Sequence, residues 1–338
     1  MEIKRTDEKR SFPAEWAPQW GVLMTWPLAD SDWAPTLPAV KRCYRHIIDA
    51  ITAGGERVLL IVPPHGDDDY PTGPLITTAA VTTNDTWTRD YGPISIIADG
   101  EPQLLDFTFN AWGMKFAANH DNLVSAELAK RSLLPHPLQC ARDIVLEGGS
   151  IESDGHGTVM TTSRCLLSSN RNETLSLHDI EQILCERLGA RQVLWLDHGA
   201  IDGDDTDSHI DTLARFAPAD TILYSPGSSP EETALMRQQL ATFRNIDGKP
   251  YRLIELPLPD KLFDDESSPM PATYANFLVT NTRVLVPTYG QPTNDSRALR
   301  LIADAFPGRE TIGIDCRPLI VQHGSLHCAT MQIACSKQ

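Results

Sequence analysis

Helix and strand signals alternate along this chain, and the polar residues best suited to chemistry recur with them. Val40 to Ala53 places Val40, Tyr44, Ile47, Ile48 and Ile51 on one helical stripe, halted at Gly54-Gly55. Arg57 to Val62 then reads as a short buried strand, closed by Pro63-Pro64. The same reasoning predicts helices over 122–134, 177–188, 231–243 and 295–305, and strands over 192–196, 251–256 and 311–314. Between them lie strand pairs joined at turn residues: 93–98 with 103–109, 145–152 with 158–162, and 277–280 with 283–286. The recurring unit is ββαβ. Asp90, Glu147, His209, Asn276 and Cys328 stand at or near the starts of these strand pairs, at separations of 57, 62, 67 and 52 residues by their numbers. A recurrence near that length, with weak self-similarity, suggests a radial array whose units share one core. Periodicity alone reaches no further than α+β.

The segments around these residues have the composition of a site. They are Thr88-Arg89-Asp90-Tyr91-Gly92-Pro93, Leu146-Glu147-Gly148-Gly149-Ser150, Asp207-Ser208-His209-Ile210-Asp211 and Gln322-His323-Gly324-Ser325-Leu326-His327-Cys328. A thiolate can attack a planar cationic carbon, an imidazole can move protons, and carboxylates can hold a guanidinium by paired hydrogen bonds. Read as a strand, 209–216 puts His209, Asp211 and Leu213 on one face by alternation. Spacing alone favours core packing for Cys328, in a terminal strand over 327–333. It also leaves Trp87 open to the core, and Glu147 to an exposed hairpin.

Charge narrows the partners. Forty-five acidic against 29 basic side chains give a formal charge of −16. That balance argues against nucleic acid, whose phosphates favour basic surfaces. It suits a cationic ligand, and it also serves solubility. Acidic and histidine residues crowd 198–211, but the spacing matches neither HExxH nor paired CxxC, so no metal is expected. There is no Walker loop and no dinucleotide fingerprint after a strand, so no cofactor is expected either. The seven cysteines are odd in number and form no CxxC. The start MEIKRTDEKR is charged, and no run approaches the roughly 20 apolar residues of a membrane span. The expectation is a cytoplasmic protein with reduced thiols and no membrane partner.

Taken together and in this order, the four segments resemble the agmatine deiminase and bacterial-type peptidylarginine deiminase family of guanidine-modifying enzymes. The resemblance runs from Pro13-Ala14-Glu15-Trp16 to Cys328. It takes in Pro271-Ala272-Thr273-Tyr274-Ala275-Asn276-Phe277 and Val286-Pro287-Thr288-Tyr289-Gly290. It implies an α/β fold, a five-bladed α/β propeller of pseudo-fivefold ββαβ units, in one domain over 1–338. It implies Cys328 as nucleophile, His209 as proton carrier, Glu147 as the carboxylate orienting His209, and Asp90 and Asp211 as the grip on the guanidinium. Trp87 would pack on the substrate, and Asn276, Gly324 and Ser325 would support the thiol. Asp204 and Asp205 would receive a distal ammonium or cap a turn. Ser208 stands where relatives usually have Gly. The implied reaction is deimination of agmatine to N-carbamoylputrescine. A protein-arginine deiminase and an amidinotransferase are rivals within the same chemistry, and an idle polyamine or arginine binder is the rival outside it. Oligomeric state is left open, a homo-oligomer included. The polar stretches 65–73 and 260–271 read as long loops, lids or surface.

Overall fold

Local signals account for the regular elements. Helix Leu37–Ala53 opens with a proline in its first turn and buries Val40, Tyr44, Ile47, Ile48 and Ile51. Strand Arg57–Val62 is almost wholly apolar because it pairs in parallel on both edges, with Gln19–Thr25 and Ile76–Ala80. Helix Leu177–Leu188 begins at a capping box between Ser176 and Asp179. The computed structural model describes residues 9–66 and 69–335. The charged start of the chain and part of the 65–73 loop therefore lie outside the described residues.

Among the described residues, five sheets of three or four strands repeat one connection. Ile94–Ala98 pairs antiparallel with Glu101–Thr108, which runs parallel to Leu138–Val145 after helix Val124–Lys130. Ile151–Ser153, Thr158–Thr162 and Gln192–Leu196 repeat this around helix Leu177–Leu188. Ala214–Ala217, Thr221–Tyr224 and Arg252–Glu255 do so around Pro230–Thr242. Leu278–Val279, Arg283–Thr288 and Glu310–Asp315 do so around Pro292–Ala305. The remaining unit joins the two ends of the chain. Thr330–Ala334 pairs antiparallel with Gln19–Thr25, which is parallel to Arg57–Val62 after helix Leu37–Ala53. Buried apolar residues from Val22 to Ile333 pack as one cluster, and a second gathers Met160, Phe216, Met236 and Tyr251.

In each unit a short irregular segment leads into the first strand of the antiparallel pair, and the candidate residues sit there. Asp90 lies in the single turn Thr88–Tyr91, Glu147 just before the turn Gly148–Ser150, and Asp211 in the turn Ile210–Leu213. Asn276 and Cys328 lie just before Leu278–Val279 and Thr330–Ala334. These segments are tied to one another. The Arg89 amide donates to the Cys328 carbonyl at 3.1 Å, and the His327 amide to the Asn276 carbonyl at 3.2 Å. Thr273 Oγ1 donates to the Thr212 carbonyl at 2.9 Å.

Three strand expectations are corrected. His209 does not lie in a strand. It caps a one-turn helix, its carbonyl accepting from the Thr212 amide at 3.2 Å and the Thr212 hydroxyl at 2.8 Å, and the strand starts only at Ala214. The predicted strand 145–152 is interrupted. One strand ends at Val145, Ser150 turns back to bond the Glu147 carbonyl, and the next begins at Ile151. The terminal strand begins at Thr330, so Cys328 precedes it in a turn. The helix expected to reach 134 ends at Lys130, and the 260–271 loop contains a small ribbon, Leu262–Phe263 with Pro269–Met270. No helix among the described residues is long and apolar enough to cross a membrane.

Candidate active site

The thiol of Cys328 is held from two sides. Its Sγ lies 3.4 Å from Asn276 Nδ2 and 3.9 Å from Asp211 Oδ2. Asn276 Oδ1 accepts from the His327 amide at 2.9 Å and the Cys328 amide at 3.3 Å, which fixes the backbone carrying the sulfur. Ser325 is buried behind it, 3.2 Å from the Tyr289 hydroxyl.

His209 is fully buried between carboxylates. Its Nε2 donates to Glu147 Oε2 at 3.1 Å, and its Nδ1 faces Asp90 Oδ1 at 3.7 Å. Asp90 accepts from the Gly149 amide and from Trp112 Nε1, each at 2.9 Å. A side chain at Gly149 would displace His209 and Asp90. Its Cβ would stand 2.6 Å from His209 Nδ1 and 2.8 Å from Asp90 Oδ1. Asp211 Oδ2 meets His327 Nδ1 at 2.7 Å, and His327 Nε2 meets Glu15 Oε2 at 2.7 Å. Arg215 closes this inner network, bonding Glu15 and Glu152. Two buried atoms of this network are left without hydrogen-bond partners: Asp211 Oδ1 and His209 Nδ1.

Cys328, Asp90 and Trp112 reach a cleft with about 130 Å³ of open space, and His209 and Asp211 lie buried behind them. Its lining includes Cys328, Trp87 and four carboxylates, Asp32, Asp85, Asp90 and Asp205, and no lysine or arginine. Trp87 therefore both packs on Trp33, with ring centroids 5.5 Å apart, and walls the cleft. Gly324 lies flat against that ring, where a Cβ would come within 2.3 Å. Asp205 reaches the lining. Asp204 instead caps the turn, accepting from Thr206 and from the Ser208 amide at 2.7 Å. Asp207 and Ser208 both have left-handed backbones, at φ 65° and 63°. That conformation explains why glycine suits position 208 and why a serine there is strained.

Burial and neighbours set the charges. Burial would lift Glu147, but the hydrogen bond from His209 and the Arg171 cation outweigh it and keep it below the usual range. Burial opposes charging His209, yet Asp90, then hydrogen bonding with Cys165 and Glu147, hold its pKa well above the ordinary value. The imidazole is thus a cation at neutral pH. Burial pushes Asp90 up to about 6, against the pull of His209. Burial also drives the Cys328 thiol well above its ordinary value, helped by Asp211 and Asp90, so the unliganded thiol is neutral.

The structure brings Asp90, Glu147, His209, Asp211, Asn276 and Cys328 together, with Trp87, Gly324 and Asp205 on the cleft. Sequence reasoning missed Arg171, Cys165, Trp112 and Arg215. Glu15 and His327 lay inside quoted segments but received no role. Cys165 is no remote core thiol: its Sγ lies 3.8 Å from Glu147 Oε2. Among the described residues, Glu147, Cys165 and His209 are the group whose donor atoms, within 4.8 Å of one another, could hold a soft cation. The Arg171 guanidinium already bonds both Glu147 oxygens there.

Comparison with known proteins points to one family. The family model described as Porphyromonas-type peptidyl-arginine deiminase matches residues 11–334. A Legionella pneumophila (strain Paris) protein named "Putative agmatine deiminase" is 34% identical over 334 residues, covering 95% of this chain and 94% of its own. The solved structure named "Putative Arginine Deiminase from Porphyromonas gingivalis" is 47% identical, with a TM-score of 0.89 over 96% of this chain and 98% of that one. A cysteine-to-serine variant of C. jejuni agmatine deiminase with substrate bound is 34% identical, with a TM-score of 0.90 over 100% of both chains.

Proposed function

The chain belongs to the Porphyromonas-type peptidyl-arginine deiminase family and acts on a guanidino group, and from that premise we propose that it hydrolyses agmatine to N-carbamoylputrescine and ammonia. One observation carries the reading. Asp211, whose Oδ1 is buried with no hydrogen-bond partner, lies 3.9 Å from the Cys328 thiol at the base of an acidic cleft, and a bound guanidinium would satisfy the carboxylate and neutralise the charge that suppresses the thiolate. Asp90 and Asp211 accept the guanidinium N–H groups. As the guanidinium binds, the Cys328 thiol releases its proton to solvent, and the thiolate attacks the central carbon and forms a C–S bond. The C–N bond to one terminal nitrogen breaks, and the His209 imidazolium gives that nitrogen its proton, so ammonia leaves. The remaining thiouronium is attacked by water that His209, now neutral, deprotonates. The C–S bond breaks, the hydroxyl proton of the tetrahedral species passes to the departing sulfur to restore the thiol, and the ureido product departs. Glu147 keeps His209 oriented and favours its cationic form.

Asp32, Asp85 and Asp205 extend the cleft's negative charge beyond Asp90, which suits the second ammonium of agmatine. The name of the Porphyromonas gingivalis neighbour favours a second reading, an arginine or peptidyl-arginine substrate. An arginine α-carboxylate would meet those carboxylates with no lysine or arginine on the cleft wall. Ammonia release from agmatine, free arginine and an internal arginine peptide separates the readings. Agmatine is expected to lead in kcat/KM by at least about tenfold, which needs about 1.4 kcal/mol of differential transition-state binding. Comparable rates on the peptide would move the chain to the protein-modifying branch.

The pH profile tests the grip. Asp90, lifted to about 6, is a carboxylate above that pH and takes a proton below it. With Asp85 also near 6 in the same cleft, kcat/KM for agmatine should fall as the pH drops through about 6, since this ratio reports the free enzyme. A profile flat down to the ordinary carboxylate range would contradict the burial of Asp90. The repeated connection and the pairing of the first long strand with the last support five ββαβ units around one axis, a five-bladed propeller in one domain. The free thiols suit a reducing compartment, and the cytoplasm is the proposed location.

A further inference from the structure

We infer that Arg171 is a positioning residue for the proton-transfer pair, acting through Glu147 and through the turn that delivers His209. Its guanidinium is fully buried and spans both elements. Nε bonds Glu147 Oε1 at 3.0 Å and Oε2 at 2.7 Å. One terminal nitrogen bonds Asp207 Oδ2 at 2.6 Å and the other the Thr206 carbonyl at 2.9 Å. Thr206 and Asp207 immediately precede Ser208 and His209, and Asp207 and Ser208 are the strained left-handed pair.

The anchorage of Arg171 fits the same role. It sits in the single turn Ser169–Asn172. Next to it, Asn172 exchanges two hydrogen bonds with the backbone of Val145, at 3.0 and 2.9 Å, just upstream of Glu147. The 170–172 segment thus connects the strand end that carries Glu147 to the turn that carries His209. A planar fork can hold both at fixed angles, and a point charge cannot.

The charge acts separately from the fork. The groups facing Glu147 are His209, Arg171 and Cys165. Asp90 faces His209 from the other side, and Asp207, also paired with Lys115 at 3.0 Å, faces Arg171 from behind. Arg171 therefore helps keep Glu147 ionised in a site closed to water, which the pair needs if Glu147 is to accept from His209. Arg171 bonds Glu147, Asp207 and Thr206 and neither of the carboxylates assigned to the guanidinium, so its removal should act on kcat and spare KM.

The inference rests on the deiminase reading, and the experiment separates the two. Ammonia release from agmatine is followed against pH for the wild type, Arg171→Lys, Arg171→Gln, Asp207→Asn and Cys328→Ser. Arg171→Lys keeps the charge and loses the fork, so kcat should fall about tenfold with its acid limb in place. Arg171→Gln loses both, so kcat should fall about a hundredfold and its acid limb should move up by about one pH unit. KM should stay within about threefold in both. Asp207 is partly exposed, so Asp207→Asn should fold even if the Arg171 variants do not, and it should lower kcat several-fold without moving the limb. Wild-type acid limbs in both Arg171 variants, losses seated in KM, or an unchanged kcat in Asp207→Asn would each overturn the inference. An active Cys328→Ser would instead overturn the reading beneath it.

Discussion

Cys328→Ser is expected to abolish ammonia release from agmatine while leaving the fold and agmatine binding in place. The sulfur touches Asn276 and Asp211 only through long contacts of 3.4 Å and 3.9 Å. A serine hydroxyl there is smaller and keeps a donor, so neither the backbone bonds from Asn276 nor the surrounding core should suffer. Chemistry should suffer entirely. A buried alcohol beside two carboxylates has no route to an alkoxide at neutral pH, whereas the thiol can ionise once a cation replaces the missing positive charge. Cys316→Ser and Cys335→Ser should retain activity, since neither residue borders the cleft. Turnover by Cys328→Ser at the wild-type rate, measured as ammonia, would end the nucleophile assignment.

Asp211→Asn and Asp90→Asn should each weaken agmatine by roughly 2–5 kcal/mol, the usual cost of removing one partner of a buried charge pair. Asp211 should be the purer case. Its Oδ1 is buried with no partner in the unliganded protein, so the substrate is its natural complement. Asp90 already accepts from Gly149 and Trp112, and an asparagine oxygen can keep only one of those bonds. Part of the Asp90→Asn effect should therefore appear as lost stability, which thermal unfolding separates from binding. Calorimetry on the Cys328→Ser background reads affinity without turnover. Affinities within about threefold of the parent would mean that these carboxylates do not grip the cation.

The parts of this protein that were legible in its sequence are those whose signals are local. Helix Leu177–Leu188 and strands Gln192–Leu196 and Thr158–Thr162 follow from stripes, caps and turn residues within a few positions. Strand Leu138–Val145 did not, because Gln139, Arg142 and Asp143 break its alternation and only its parallel partner Glu101–Thr108 makes it a strand. The five units were visible as a spacing. That the last is built from both chain ends is a property of pairing between Thr330–Ala334 and Gln19–Thr25.

The site divides in the same way. Asp90, Glu147, His209, Asp211 and Cys328 stand beside turn-forming or small residues and could be read as a set. The geometry of His209 could not, because alternation assumes an extended strand, and a single helical turn places His209 and Asp211 in its stead. Arg171 lies in Ser-Ser-Asn-Arg-Asn-Glu, a run that reads as exposed loop. Its burial is created by the carboxylates it meets, which come from two distant segments. Charged residues are seldom fully buried unless paired, and no local pattern announces the pairing.

The covalent step is the one on which the reaction turns. The most direct test is acid quench of the enzyme while it turns over agmatine, followed by mass analysis of its peptides. The peptide containing Cys328 is expected to carry the mass of agmatine less ammonia, and this adduct should disappear as the ureido product forms. The same mass on another residue, or product formation with Cys328 unmodified at every quench time, would contradict the covalent step.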